Sequence, residues 1–431
     1  MLKFIRRPKV SALIGGALGV ALLAGCSSAP TSNASGPVTI TLWESQSNEP
    51  VASAMKGLAD QFNKANPGTT INLHIISQGS QIMAAVGAHN PPIMGEVNHY
   101  IQPLRQANAL VSFNPYINGP NGFSPQEISQ FYPAIWDDGN VNGQRYRFLV
   151  DTKVSELFYN KAIFQQAGIT TPPTTYDQLA QDLDLIKHTV PGVTPMAIDQ
   201  SIGDIMPPLI ANGGSLYAPG STTQADFQSP AAKTTFDYFH NLYSKGDVIF
   251  SNTNGVRSLF AQNKLAVADQ TSAGSSPIMA AANSKFQVGA FAWPAGTSGH
   301  AGNVIQGEGI VMMTGYSQKE YDATWKFIKF WMSPQQQAWW TVHSGYAPQT
   351  KAALQYITPQ DYTANPGLAV SIQTLNDPNT IHRPAPDNYS QVESLTTAAF
   401  FKAVEGQQPV DAALAGLQQE ANKVLSGKSG F

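Results

Sequence analysis

The chain has 431 residues, of which 42% are hydrophobic and only 12% are charged, and its formal net charge is −3. This length exceeds what one hydrophobic core supports, so we expect two domains. The small negative charge provides no basic surface, which excludes nucleic acid and an anionic membrane surface as main partners.

The N-terminal segment has the features of an export signal. Residues 1–7 are basic, and residues 10–23 form an almost unbroken apolar run, which is shorter than the ~20 residues that span a bilayer. The run ends in Leu-Ala-Gly-Cys26, which is similar to a bacterial lipobox. We expect a signal peptide at residues 1–25, lipid on Cys26 and a flexible linker at residues 26–37. The alternative is an ordinary signal peptide whose cysteine lies near the cleavage point by chance.

Beyond Cys26, the only cysteine in the chain, short strands alternate with helices. Alternating β-branched residues predict strands, and apolar residues at helical spacing predict helices. The first predicted strands are 38–43, 70–76 and 93–97, and the first predicted helices are 50–66 and 81–88. This order predicts a largely parallel sheet with helices on both faces, in which ligands bind beyond the carboxyl ends of the strands. Residues 44–47, 78–81 and 96–100 are therefore expected to line one mouth.

The alternation continues to the C terminus. Further strands are predicted at 143–150, 155–159, 265–269, 286–291 and 310–313. Further helices are predicted at 125–131, 160–167, from 175 onward, and at 205–212, 230–245, 256–262, 321–332, 334–343 and 410–425. Residues 192–217 are otherwise expected to be loop. The tryptophans on these helices, Trp325, Trp331, Trp339 and Trp340, are expected in the core, whereas Trp43, Trp136 and Trp293 are candidates for stacking on a ligand.

No stretch of the chain carries a recognisable catalytic motif. A phosphate-binding loop, a His-Glu-x-x-His zinc motif, paired cysteine ligands and a nucleophile elbow are all missing from the sequence. Asp137 with Asp138, and Asp182 with Asp184, are spaced as glycosidase carboxylates sometimes are, but their neighbours indicate solvated charge. We therefore predict that the protein is not an enzyme and needs neither a cofactor nor a metal.

Several segments together resemble the family-one extracellular solute-binding lipoproteins of bacterial ABC importers, which bind sugars and glycerol-3-phosphate. The matching words are ITLWES and FNKANPG near the start, LVDTKVSELFYNKAIFQQAGITTPPTTYDQLAQDL, LFAQNKLAVADQTSAGS, ATWKFIKFWMSPQQQAWWTVHSGYAPQTKAAL, and NYSQVESLTTAAFFKAVEGQQPVDAALAGLQQEANKVL. They follow the family's order and cover nearly the whole chain after the linker.

The resemblance implies an α/β fold of the type II periplasmic-binding-protein kind, with a hinge between two discontinuous lobes. Lobe 1 would comprise residues 38–148 and 306–346, and lobe 2 residues 149–305 and 347–431. Solute would bind between the lobes and favour their closure, which a membrane permease then recognises.

The resemblance also assigns binding residues, since sugar sites combine aromatic rings with polar side chains. The ligand-binding residues expected from it are Glu44, Gln81, Asn98, Asp151, Lys153, Ser272, Gly307, Tyr346 and Arg383. Trp43, at the end of the first strand, is added as an aromatic candidate. Three of these depart from the glycerol-3-phosphate binders, because Gln81, Asn98 and Lys153 stand where those proteins have a Tyr, a carboxylate and a Ser. Lys153 with Arg383 remains a possible anion clamp, or Lys153 pairs with Asp151 in a neutral-sugar site.

The function we predict is capture of a carbohydrate-type solute and its delivery to the transmembrane subunits of an ABC permease. The alternatives are a glycerol-3-phosphate or glycerophosphodiester binder of the same family, and a solute-sensing lipoprotein without a permease. A lipid-anchored hydrolase is a further class, which the missing motifs argue against. We expect a monomer held to the membrane only by its lipid, in the periplasm or on the outer face of the cytoplasmic membrane.

Overall fold

A computed structural model describes residues 36–98, 101–200, 205–383 and 388–427. The predicted signal peptide, Cys26 and nearly all of the predicted linker lie outside the described residues. In the described part, no helix is both long and apolar enough to span a bilayer.

Two separate five-stranded sheets organise this part of the chain. The strands are β1 Val38–Glu44, β2 Thr69–Ile75, β3 Met94–Val97, β4 Asn140–Val141, β5 Gln144–Arg145, β6 Phe148–Leu149, β7 Ser155–Asn160, β8 Thr194–Asp199, β9 Val248–Ser251, β10 Leu265–Thr271, β11 Val288–Ala292, β12 Asn303–Val304, β13 Gly309–Met312 and β14 Thr380–Ile381. The first sheet has the order β2-β1-β3-β13-β6, and the second has the order β11-β7-β10-β8-β9.

Each sheet is mixed rather than largely parallel. In the first, β1 is parallel to β2 and β3, while β13 runs antiparallel to β3 and β6. In the second, β8 is parallel to β9 and β10, while β7 is antiparallel to β10 and β11. The largely parallel sheet predicted from consecutive βαβ units is therefore not observed, because distant parts of the chain add antiparallel strands.

Helices cover both sheets. They are α1 Val51–Ala65, α2 Ser80–Gly87, α3 Gln102–Gln106, α4 Asn114–Ile117, α5 Pro125–Ile128, α6 Pro133–Asp137, α7 Lys161–Gln166, α8 Tyr176–Thr189, α9 Met206–Ala211, α10 Pro230–Lys245, α11 Thr253–Ala261, α12 Ser275–Ala282, α13 Gln318–Trp331, α14 Pro334–Ser344, α15 Pro359–Ala364, α16 Gly367–Asn376, α17 Tyr389–Val404 and α18 Val410–Leu425, with short 3-10 helices at Ser272–Gly274 and Lys351–Tyr356. Local sequence signals determine where many of these helices begin and end. Ser229 caps α10 and Gly246, with φ +77°, ends it.

The hydrophobic cores are built from segments far apart in sequence. The core of the first sheet joins residues of β1–β3 to α13 and α14, where Trp325, Trp331 and Trp340 are buried as predicted. The main core of the second sheet joins residues of β7–β11 to α17 and α18. Each sheet therefore depends on a later part of the chain for its packing.

Three chain segments connect the two sheets, and they are hydrogen-bonded to one another. Lys153 and Gln306 exchange backbone hydrogen bonds of 2.9 and 2.8 Å, and the Ala347 N–H donates to the Thr152 carbonyl at 3.0 Å. The Thr152 hydroxyl also lies 3.0 Å from Gln349 Oε1. The crossovers thus form one compact connection.

Some sequence-based expectations fail locally. The predicted strand at 143–150 is broken into the short strands β5 and β6, and the predicted loop at 192–217 contains β8. Asp138, expected to be solvated, is 5% exposed and forms an ion pair with the buried Arg147. A tertiary contact, not local sequence, decides the environment of that carboxylate.

Candidate solute-binding site

Two buried carboxylates lie at the carboxyl ends of neighbouring parallel strands. Glu44 ends β1 and Glu96 lies in β3, and the register pairs Trp43 with Gly95 one residue earlier. Both glutamates are 1% exposed. This edge of an α/β sheet is where ligands usually bind, because the loops that follow the strands converge there.

The loop after β1 lies over these carboxylates. Glu96 Oε2 accepts hydrogen bonds from the Ser45 backbone N–H at 2.9 Å and from its hydroxyl at 3.2 Å. The Gln46 N–H donates to Glu44 Oε2 at 2.6 Å. The Gln46 side-chain nitrogen lies 3.4 Å from Glu96 Oε1 and 3.1 Å from Asp151 Oδ2. The loop therefore connects the sheet edge to the first crossover.

Asp151 is the centre of the crossover region. Its side chain is fully buried and accepts a hydrogen bond from the Glu308 backbone N–H, while Lys153 Nζ is 3.8 Å from Oδ2. Gly307 has φ +136°, and a Cβ there would lie 2.1 Å from the Asp151 carbonyl oxygen. Only glycine permits this close approach of the two crossovers.

Tyr346 supplies an aromatic face beside these charges. It is 3% exposed, and its ring stacks on Trp340 with the centroids 6.0 Å apart. Lys153 Nζ lies 5.4 Å from the Tyr346 ring centroid, within the range of a cation–π contact. The Tyr346 hydroxyl is 3.4 Å from Gln46 Oε1.

The electrostatics of the group are dominated by carboxylates. Burial raises the pKa of Glu96 to about 7, against the hydrogen bond from Ser45, with Glu308 and Glu44 adding repulsion. Burial also raises the pKa of Glu44 and, well above its usual value, that of Asp151. Burial disfavours the charged form of Lys153, but Asp151, Glu308 and Glu96 together raise its pKa. The site is thus rich in hydrogen-bond acceptors and holds its cation firmly protonated.

Comparison with known proteins identifies the family. Residues 57–370 match the family model described as bacterial extracellular solute-binding protein. The chain belongs to the bacterial extracellular solute-binding proteins.

Among relatives, the chain is 25% identical over 381 residues to the sn-glycerol-3-phosphate-binding periplasmic protein UgpB of Escherichia coli O1:K1, with 84% of each protein covered. It is 25% identical over 382 residues to the protein of the same name from Salmonella typhimurium, covering 84% of this chain and 85% of that protein. These relatives are periplasmic by name.

Solved structures share the fold at low sequence identity. The cyclic alpha-maltosyl-1,6-maltose binding protein from Arthrobacter globiformis matches with a TM-score of 0.77 and 21% identity, covering 92% of this chain and all of that one. UgpB from Mycobacterium tuberculosis, solved with glycerophosphocholine, matches with a TM-score of 0.74 and 19% identity, covering 91% and 99%. The predicted two-lobed α/β fold of a solute-binding protein is confirmed.

The structure of this solute-binding protein brings half of the predicted site residues together. Glu44, Asp151, Lys153, Gly307 and Tyr346 meet around the crossovers, as described above. Gln46 and Glu96 fall in segments predicted to line the mouth but were not named as ligands, and Glu308 was missed. These three residues are recognised as candidates by the polar side chains that surround them in the folded chain. A single sequence carries no signal for those contacts.

The other predicted site residues lie in different surroundings. Trp43 packs beside His74, with ring centroids 5.0 Å apart, and Gln81 Oε1 accepts from the Ser77 and Gln78 backbone N–H groups of its own turn. Ser272 is buried and accepts from the Val154 N–H at 3.3 Å. Asn98 is exposed directly after β3.

Arg383 is engaged by α17. It forms an ion pair with Glu393 and is only 8% exposed on its side chain, and it donates to the Tyr389 hydroxyl at 3.4 Å. An arginine held in this way has already used part of its donor set on a carboxylate of its own chain. Residues 384–387, which follow Arg383, lie outside the part that the structure describes.

The corresponding edge of the second sheet also carries buried polar groups. Gln270 Nε2 lies 2.9 Å from Asp199 Oδ2, and the Asp199 N–H is 3.4 Å from Asp269 Oδ2. Beside Asp269, a small cavity of about 20 Å³ is lined by Trp293, Phe239, Phe400 and Phe401, among others. Within the described residues, no group of three or more His, Cys, Asp or Glu side chains is arranged to hold a metal ion.

Proposed function

We propose that this solute-binding protein captures a neutral, polyhydroxylated solute of the carbohydrate or polyol class and delivers it to an ABC permease. The observation that carries the proposal is the composition of the site. Asp151, Glu308 and Glu96 act on a single lysine, Lys153, and Glu44 lies beside Glu96. The other nearby cation, Arg147, is paired with Asp138. Carboxylates accept hydrogen bonds from hydroxyl groups, and the Tyr346 hydroxyl beside them adds a further polar group for a sugar.

The same composition disfavours a phosphate group. A phosphate group brings negative charge and no strong donors to a cluster of four acidic side chains, which disfavours a further negative charge, and only Lys153 attracts it. Arg383, which would complete an anion clamp, pairs with Glu393. A glycerophosphodiester binder is the second candidate, and it draws support from Lys153 and from the names of the relatives.

The boundaries of the two lobes that would close on the solute lie at the crossovers between the sheets. We assign residues 38–148 and 306–346 to lobe 1 and residues 149–305 and 347–431 to lobe 2. The two main cores support this division except at the crossovers and at Leu375, because the core of the first sheet also contains Leu149, Val150, Val154, Ile305, Ala347 and Leu375. Solute that bridges the lobes stabilises the closed form by its differential affinity, and the permease recognises that form.

Thermal unfolding in the presence of candidate solutes tests the function. A solute at 1,000 times its Kd adds about 4 kcal/mol to the free energy of unfolding. We expect maltose, maltotriose or another neutral saccharide to raise Tm, and glycerol-3-phosphate and glycerophosphocholine to leave it unchanged. A rise with the phosphorylated solutes alone would replace the proposal by its second candidate.

The Lys153→Gln variant separates the two candidates further. Binding of a neutral sugar is expected to weaken by about tenfold, since one hydrogen-bond donor is exchanged for another. Binding of a phosphate monoester would fall much further, because the charge itself is lost. Lys161→Gln, at the start of α7 in the second sheet's half, is the matched control.

We further propose that Cys26 carries a lipid that holds the protein to the membrane. The Leu-Ala-Gly-Cys26 sequence supports this, together with the family's extracellular location. In cell fractionation, the wild type is expected in the membrane pellet and Cys26→Ser in the soluble or uncleaved fraction. Equal membrane association of a cleaved Cys26→Ser protein would contradict the anchor.

A further inference from the structure

The Gln46 side chain fills the centre of the site instead of lining it. Its Nε2 has two hydrogens, and the two acceptors within reach are Asp151 Oδ2 at 3.1 Å and Glu96 Oε1 at 3.4 Å. Its Oε1 lies 3.4 Å from the hydroxyl of Tyr346, which donates. Both polar atoms of the amide are therefore used, by three groups that belong to three different segments of the chain.

We propose that Gln46 is a displaceable self-ligand, whose amide occupies the position of the solute's hydroxyl groups until the solute replaces it. This inference rests on the proposed function, and it assigns to Gln46 a role in specificity that is distinct from contact with the bound solute.

The surroundings of Gln46 differ from those of the groups it contacts. Gln46 is half-buried and lies in the loop between β1 and α1, outside any helix or strand. Glu96, Asp151 and Tyr346 are 1%, 0% and 3% exposed and lie on a strand and at the crossovers. Displacement of Gln46 breaks no helix or strand, whereas the three buried groups are held by the sheet and the crossovers. Because buried polar groups require partners, the departing amide must be replaced by groups of matching chemistry.

The contacts that the Gln46 amide would leave define the chemistry of the group that replaces it. The incoming group must donate hydrogen bonds to Glu96 and Asp151 and accept one from Tyr346. Two adjacent hydroxyl groups meet this requirement, as does an amino alcohol. A phosphate group or a carboxylate group does not, because it has no donor for the two acidic side chains and carries the same sign of charge; a phosphorylated solute could meet the requirement only through hydroxyl groups elsewhere in the molecule. Gln46 thus holds the site in a form that only a diol-like group displaces without loss.

Substitution of Gln46 tests the inference by the direction of the change in affinity. Gln46→Ala removes the competing amide, and Gln46→Asn keeps an amide but is one methylene too short to reach all three partners. Both variants are expected to bind maltotriose roughly three- to tenfold more tightly than the wild type in titration calorimetry, because the self-contacts no longer compete. The matched control is Gln262→Ala, since Gln262 is an exposed residue at the end of α11 that contacts Ser258.

Each outcome has a defined meaning. Weaker or unchanged binding of maltotriose by Gln46→Ala, with wild-type binding intact, would overturn the self-ligand and leave the proposed function in place. If neither protein binds any saccharide of the panel, the proposed function fails and the inference with it. A second measurement is the NMR signal of the Gln46 side-chain amide, which is expected to change from a hydrogen-bonded to a solvent-like position when maltotriose is added. An unchanged signal at saturation would also overturn the inference.

Discussion

Two buried glutamates, one in each sheet, share nearly all their local properties but differ in what surrounds them. Glu96 lies in β3 of the first sheet and Glu156 in β7 of the second; they are 1% and 0% exposed. Burial raises the pKa of Glu96 to about 7 and that of Glu156 to about 8. Glu96 contacts Ser45 and Gln46 in the loop after β1, whereas Glu156 contacts Ser371 of α16.

The difference lies in access. A Cβ on Gly367, the first residue of α16, would lie 2.3 Å from Glu156 Oε2, so the helix closes directly over the carboxyl group. That oxygen has no hydrogen-bond partner, and no solute can approach it without removal of the helix. Glu96 instead accepts its hydrogen bonds from the loop after β1. A raised pKa therefore marks burial in both places and a candidate binding site in only one, which is why such shifts indicate sites only together with geometry.

The largest expected effect concerns Glu156. A carboxyl group whose pKa is raised on folding binds more protons in the native state, so the free energy of unfolding falls as pH rises from about 4.5 to about 8 and is then constant. Glu156→Gln removes this loss. We expect the variant to be about 4–5 kcal/mol more stable than the wild type at pH 8.5 and similar to it near pH 4, measured by urea unfolding.

The control for Glu156 is Glu420→Gln, because Glu420 is 52% exposed and pairs with Lys423. That change should alter stability by less than about 0.5 kcal/mol at both pH values. A Glu156→Gln protein that is less stable than the wild type at pH 8.5 would show that the carboxyl group is favourable in its ionised form.

Asp151 extends the comparison to a buried carboxyl group that has a cation. Asp151→Ala leaves Lys153 without its nearest carboxylate and the Glu308 N–H without its acceptor. We expect a loss of about 3 kcal/mol in stability by thermal unfolding, since one partner of a largely buried pair is removed. Asp184→Ala, at 53% exposure beside Lys187, should cost about 0.5 kcal/mol or less. An equal effect of the two substitutions would refute a special role for the crossover carboxylate.

The smallest effect separates the two glutamates by function. Because the pKa of Glu96 is about 7, its ionised fraction grows between pH 6 and pH 8, and the charged carboxylate accepts hydroxyl groups more strongly. Saccharide affinity is expected to rise over that interval in the wild type. In Glu96→Gln it should stay flat and be about tenfold weaker at pH 8 by calorimetry. Glu156→Gln should keep the wild-type pH dependence of affinity. If that variant lost the pH dependence as well, the two glutamates would not differ in function.

Much of the fold could be predicted from the sequence where local patterns are strong. The helices α10 and α18 have the predicted bounds, because long amphipathic periods with a proline at the start leave little choice. The strands β8 and β9 were missed. Pro195 within β8 reads as a loop residue, and both strands are short and become strands only through pairing with each other and with β10.

The site was predictable only in outline. The predicted alternation of strands and helices placed Glu44 and the loop after β1 at the mouth, and the family resemblance supplied Asp151, Lys153 and Tyr346. The pairing of Arg383 with Glu393 and the position of the Gln46 amide between three segments depend on tertiary contacts. Such contacts join residues far apart in the chain, and no local pattern encodes them.

The order of the chain has a consequence for how the protein is made. The first sheet places β13 between β3 and β6, and Ile310 pairs with both Glu96 and Phe148. Its core also requires Trp325, Trp331 and Trp340. A chain that emerges from the ribosome therefore cannot complete its N-terminal half until residues beyond 340 are available. Pairings of such long range form slowly, so we expect most of the nascent chain to stay unfolded until its synthesis is nearly complete.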